Sequence, residues 1–123
     1  MAQQVHSMSQ EMEQCVQNCL DCYRSCLETV NYCLALGGKH AEPSHIRLLL
    51  DCAEICQTAA GFMIRQSDLH PNTCAVCAEA CEACAEDCAQ FGDDAQMTAC
   101  AEICRRCAES CRKMSQTQRR KAA

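Results

Sequence analysis

Sixteen cysteines stand in this 123-residue chain at spacings that suit a helix and nothing else. They occupy positions 15, 19, 22, 26 and 33, then 52 and 56, then 74, 77, 81, 84 and 88, and finally 100, 104, 107 and 111. Every step within a group is 3, 4 or 7. Side chains at those spacings project from one face of an α-helix. Each group is therefore a single stripe, with thiols where Leu and Ile would ordinarily sit. The residues between them are mostly Glu, Gln, Asp, Arg and Ala, which make the outer face. β-branched and aromatic residues are scarce, which argues against strands.

Punctuation divides the chain into four such helices. Gly37-Gly38 ends the first, and Pro43 with Ser44 suits the start of the second. The stretch 67–73, SDLHPNT, makes a second break, with Asn72 or Thr73 available as a cap. Gly92 closes the third helix, and Asp93 with Gln96 resembles a capping box for the fourth. The expected helices run over 5–36, 44–66, 72–91 and 94–116. Short connections make sequence neighbours antiparallel, so the expected fold is all-α: a single domain, an up-down four-helix bundle with a Cys-lined core.

Composition agrees that the cysteines must fill the interior. The apolar residues comprise 16 Cys, 18 Ala and only 26 larger side chains, with no Trp. A net charge of −5 argues against a nucleic-acid partner, which would call for basic residues. No run approaches the roughly 20 apolar residues of a membrane span. The first residues, MAQQVHSMSQEMEQ, lack the basic and apolar regions of an export signal, so the expected location is the cytoplasm. Thiols stay reduced there, and a cysteine pattern points to metal or redox chemistry rather than to disulfides.

Metal binding explains the pattern best. Cysteine as a small buried hydrophobe accounts for one or two positions, not for sixteen. Disulfides within a helix match poorly, because i,i+4 side chains leave it nearly parallel; cross-helix disulfides remain open but would not explain the regular spacing. Seven such pairs can be written: Cys15/Cys19, Cys22/Cys26, Cys52/Cys56, Cys77/Cys81, Cys84/Cys88, Cys100/Cys104 and Cys107/Cys111. Cys33 and Cys74 complete the set. Thiolate-only sites select Cu(I), Zn(II) or iron–sulfur clusters, and the last usually take their cysteines from loops. Four zinc ions would leave uncompensated thiolates in the interior, whereas one Cu(I) per thiolate balances the charge. Multiple Cu(I) ions are thus the expected cargo. Zinc or cadmium sequestration and a thiol redox buffer remain as alternatives. No catalytic residue stands out, so no enzyme is expected.

The stripes continue past the cysteines. Val5, Met8, Met12, Met63, His70 and Met114 extend them towards what becomes one mouth in an antiparallel bundle, where thioether and imidazole ligands could pass Cu(I) inward. At the other end Leu36, His45, Leu49, Phe91 and Met97 suggest an apolar plug, with His45 and Met97 as weaker ligand candidates. His6 and His40 are expected on solvated surface, and Arg119-Arg120-Lys121 as a solvated end. Val16, Leu20, Tyr23, Leu27 and Leu34 form a second apolar stripe on the first helix, as Leu48, Ile55 and Phe62 do on the second. Helices apolar on two faces pack against something further, so a homo-oligomer is expected.

With its motifs CVQNCLDCYRSC (15–26), CAVCAEACEACAEDC (74–88) and CAEICRRCAESC (100–111), the chain resembles the bacterial copper storage proteins, the Csp family. The resemblance covers about residues 5–115. It implies a four-helix bundle that stores many Cu(I) ions on cysteine thiolates, commonly as a homotetramer. The second helix departs from the density of the others, offering only Cys52 and Cys56.

Overall fold

Helix boundaries are set by local chemistry at each turn. The computed structural model describes residues 8–117; Val5, His6 and Arg119-Arg120-Lys121 lie outside the described residues. The helices are α1 (Gln10–Leu36), α2 (Pro43–Ile64), α3 (His70–Ala89) and α4 (Ala95–Ser115), with a 3-10 turn at Gly38–Ala41 between the first two. Among the described residues there is no strand.

Of the helix ends, only Leu36 falls where expected; α2 and α3 each finish two residues early, at Ile64 and Ala89, and α2 and α4 otherwise differ by one residue. Three starts have a clear local cause. Helix α1 opens at Gln10, not at residue 5, because Ser9 turns extended and its Oγ accepts from the Met12 N–H. That bond satisfies one of the orphan donors of the first turn. Helix α3 starts at His70, ahead of the expected Asn72 or Thr73 cap. Pro71 sits within the first turn, where its missing N–H costs nothing. Helix α4 is capped by Asp94 rather than Asp93: its Oδ1 accepts from the Met97 N–H. At the end of α1, Gly37 adopts φ 73° and returns its N–H to the Cys33 carbonyl, a conformation that favours glycine.

The four helices form a square. Helix α1 packs on α2 and α4, and α3 packs on the same two. Backbones across the diagonals do not touch. Small residues let neighbours approach: Ala78 and Ala85 on α3, and Ala101 and Ala108 on α4, are all buried. Each pair is seven residues apart, so a file of methyl groups runs beside each thiol stripe. Polar contacts also join α1 to α4. Asn18 donates to Ser110 Oγ at 3.1 Å, and Gln96 donates to the fully buried Thr29 hydroxyl at 3.0 Å.

One end of the bundle is closed. Phe91 lies against both His40 and His45, with ring centroids 4.3 and 4.8 Å apart. Asp94 accepts from the Tyr32 hydroxyl at 2.7 Å and lies 2.9 Å from His40 Nε2. His40 is therefore half-buried and held, not free on the surface as expected, because Asp94 and Phe91 draw it over the end of the core. Leu36, expected in this plug, is 55% exposed. It follows Cys33 by three residues, but α1 ends there and the chain has already left the bundle axis.

Candidate metal centre

The helical period brings every cysteine inward. All sixteen are buried and unbridged, with at most 1% of their surface exposed. Their sulfurs form a continuous column along the bundle axis. Cys15 and Cys19 lie 3.6 and 3.5 Å from Cys111, and Cys107 lies 3.6 Å from Cys19. Cys22 reaches Cys52 and Cys104, each at 3.7 Å. Cys56 reaches Cys77 at 3.7 Å and Cys81 at 3.6 Å, and Cys52 also meets Cys81 at 3.6 Å.

The expected pairs within a helix are the longer contacts. Cys22–Cys26, Cys77–Cys81 and Cys107–Cys111 stand at 3.9, 3.8 and 4.0 Å. Among the described residues every sulfur contact shorter than these joins two helices. The natural unit is consequently a group drawn from several helices. Four such sets have all their sulfurs within 4.8 Å of one another: Cys19/Cys77/Cys107/Cys111, Cys22/Cys26/Cys52/Cys104, Cys22/Cys52/Cys56/Cys81 and Cys56/Cys77/Cys81/Cys107. Each takes residues from three helices. Cys19 and Cys77 even meet across the α1–α3 diagonal that the backbones leave open.

These separations suit soft ions. Two metal–sulfur bonds of about 2.3 Å at 120° place the sulfurs about 4 Å apart. The sets overlap as well: Cys22, Cys52, Cys56, Cys77, Cys81 and Cys107 each belong to two. No choice among the four sets gives more than two that share no sulfur. Such overlap fits thiolates that bridge neighbouring ions, and it fits isolated tetrahedral Zn(Cys)4 sites poorly.

Electrostatics within the column follow from thiol–thiol hydrogen bonding. Cys15 is held well below the usual thiol range by its hydrogen bonding with Cys111, Cys22 and Cys52 by theirs with Cys104, and Cys77 by its with Cys107. Other thiols move the opposite way. Cys104 is pushed up by its bond with Cys100, and Cys74 by its bond with Cys111. Cys33 stands apart, pushed up to about 11 mainly by burial and next by the charge of Asp94.

The other sequence candidates divide between the two ends. At the mouth, Met63, His70 and Met114 are buried, while Met8 and Met12 are half-buried against the core. They share that end because α1 and α3 begin there and α2 and α4 finish there. His70 Nδ1 lies 3.0 Å from the Ser67 carbonyl, so its N–H donates there. Nε2 is buried and has no hydrogen-bond partner among the described residues. An imidazole fixed in this way keeps a lone pair ready for a ligand role.

At the closed end, His45 and Met97 are buried against Cys33. Asp87, whose carboxylate bonds His45 Nδ1, carries no motif that would single it out. Only its place on α3, facing α2, creates that role. A heptad reading of the α3 outer face could have noted an acid beside the stripe, but not its partner.

A family model described as copper storage protein matches residues 8–116. A protein from Nitrosospira multiformis is 48% identical, with a TM-score of 0.81 over 86% of this chain and 95% of its own. The Cu(I)-bound copper storage protein BsCsp3, from Bacillus subtilis, is 38% identical, with a TM-score of 0.79 over 86% and 99%. A cytosolic copper storage protein from Streptomyces lividans, carrying five coppers, is 28% identical, with a TM-score of 0.75 over 88% and 94%. No protein of curated function matches the chain. The column of sulfurs and the family match converge, and the chain belongs to the copper storage protein family.

Proposed function

We propose that this protein is a cytoplasmic store for Cu(I), built as one domain and acting without catalysis. Its ligands are the thiolates of Cys15, Cys19, Cys22, Cys26, Cys33, Cys52, Cys56, Cys74, Cys77, Cys81, Cys84, Cys88, Cys100, Cys104, Cys107 and Cys111. The observation that carries this reading is the sixteen buried, unbridged thiols in one bundle core, with overlapping four-sulfur sets among them. Each Cu(I) displaces a thiol proton: a Cu–S bond forms, an S–H bond breaks, and the proton leaves to solvent. One charge replaces another, so the interior stays neutral as it fills.

Burial argues against the rivals. A redox or peroxide-consuming thiol must be reached by its substrate, and every cysteine here is sealed. A zinc store would use at most two sets that share no sulfur and would leave half of the sixteen thiols idle. No helix among the described residues is long and apolar enough to cross a membrane. The cytoplasmic assignment draws support from the Streptomyces relative and from the need for reduced thiols.

Copper enters by the mouth. Met8, Met12, Met63, His70 and Met114 supply neutral, soft or borderline donors that hand Cu(I) to Cys15, Cys74 and Cys111 just inside. The unpartnered Nε2 of His70 supports this role most directly.

The copper-filled unit is a homotetramer. On α1 the stripe Val16, Leu20, Tyr23, Leu27, Val30 and Leu34 repeats every 3 or 4 residues; Val16 and Val30 are buried at its inner edge, while Leu20 and Leu34 are 38% and 56% exposed. Ile55 and Phe62 on α2 are half-buried. A second copy of the chain would cover this face.

An anaerobic titration of the reduced protein with Cu(I), competed against a chromogenic Cu(I) chelator, tests the reading. Tight uptake well beyond four ions and approaching the cysteine count is the expected result. Uptake of one ion or none overturns it.

A further inference from the structure

The closed end of the bundle holds a donor set unlike the rest of the column. Cys33, in the last turn of α1, belongs to none of the four-sulfur sets. Its Sγ lies 3.4 Å from His45 Nε2 and 3.7 Å from Met97 Sδ. All three residues are buried, His45 at 4% exposure and the other two at 0%. The Nδ1 of the same imidazole bonds the Asp87 carboxylate. An N–H donated there leaves the Nε2 lone pair directed at Cys33. Phe91 lies against the imidazole and stops it from turning away.

Building on the storage reading above, we propose that Cys33, His45 and Met97 form a separate mononuclear Cu(I) site at the closed end, with Asp87 as the positioning residue of the imidazole. Three observations converge on it. The donor spacings of 3.4 and 3.7 Å approach the roughly 3.5–4 Å that three ligands impose around an ion with bonds of about 2.0–2.3 Å. The thioether favours a soft ion such as Cu(I) over zinc. A metal-bound imidazole characteristically gives its other N–H to a carboxylate, which fixes both tautomer and orientation; Asp87 already occupies that place.

Charge supports the same occupant. Cu(I) displaces the Cys33 proton to solvent, the Cu–S bond replaces S–H, and the resulting Cu(I)–thiolate unit is neutral. Imidazole and thioether then complete the coordination without adding charge. Unlike thiolates, neither readily bridges two ions, so this ion stands apart from the clusters. The site makes the store two-part: bridged thiolate clusters along the axis, and one ion held by three different donors at its end.

The test follows the imidazole nitrogens of the reduced wild-type protein by long-range 1H–15N spectra during anaerobic Cu(I) addition. His45 is assigned with the His45→Gln variant. The expected result is a large displacement of the His45 Nε2 resonance by saturation, with Nδ1 still protonated. Met97→Leu keeps the packing volume and should lower the capacity by one ion. Asp87→Asn should weaken one ion by roughly 10–100-fold against the chelator while the thiolate clusters bind as before. An unmoved His45 resonance in the fully loaded protein overturns the site and leaves the storage reading standing, as does full capacity in Met97→Leu. Failure of the wild type to take up copper overturns both. Should the His45 variant not fold, Met97→Leu and the wild-type resonances still decide.

Discussion

At the scale of single residues, chemistry and packing make different demands on the methionines and on His70. Met63 is fully buried, so truncation to Ala opens a cavity and should cost about 2–5 kcal/mol of apo stability. Met63→Leu keeps the volume and should cost less than about 1.5 kcal/mol, yet it removes the thioether. His70→Leu removes an Nε2 that has no protein partner among the described residues and gives up one hydrogen bond, from Nδ1 to the Ser67 carbonyl, at a cost of about 1 kcal/mol. If these residues pass Cu(I) inward, both leucine variants should fold normally and keep nearly full capacity. Their loading should slow, roughly tenfold on the scale of losing one supporting group at a metal site. Stopped-flow absorbance of the thiolate–copper bands checks this. Loading at the wild-type rate in both variants would reduce the methionines to packing.

At the scale of elements, Asp94 joins two roles. It caps α4 through the Met97 N–H and ties α4 to Tyr32 and His40 at the closed end. Asp94→Ala should therefore cost more than an isolated cap, about 2 kcal/mol or somewhat above, whereas Tyr32→Phe should cost about 1 kcal/mol. Chemical denaturation of the apo protein measures both; equal effects would deny the cap its share. The outer stripe of α1 gives a second prediction. Leu20→Glu with Leu34→Glu places charge on a face already partly exposed, so the helix should remain while the assembly falls to monomers, which sedimentation velocity would show. The inward face of each helix was legible in the sequence, because a stripe of period 3–4 is a local property of the chain. The ends were legible to within a few residues: Asp93 and Asp94 are chemically equal as caps, and only the turn around Gly92 decides between them. Partnering between helices was not legible. Whether Cys22 sits nearer Cys104 or Cys26 depends on how closely α1 and α4 approach, which the Asn18–Ser110 and Thr29–Gln96 contacts help set. The same limit hid Asp87, whose partner His45 lies on a facing helix.

At the scale of the whole molecule, the protons in the core link stability to pH and to copper. Eleven of the sixteen thiols are shifted up and five down. A group whose folded pKa is raised gives stability that is present below its unfolded value and lost as pH climbs through the folded value. For Cys33 that window runs from about 9 to about 11. The lowered thiols carry the opposite sign, but their thiolates are stabilised by neighbouring S–H groups and lose that support once the donors ionise. The apo bundle should therefore lose thermal stability steadily between pH 9 and 11. Copper removes the dependence, because a Cu(I) thiolate has no proton left to lose, and binding only to the folded chain adds stability by mass action. The loaded protein should melt well above the apo form at pH 7.5, and its midpoint should stay flat across the same alkaline window. Anaerobic circular-dichroism melts of both forms at pH 7.5, 9, 10 and 11 test this. An apo midpoint that does not move between pH 9 and 11 would mean the thiols ionise without penalty. The column would then be wetter than its burial shows, and the neutral exchange of proton for copper would no longer explain how so many ions enter one core.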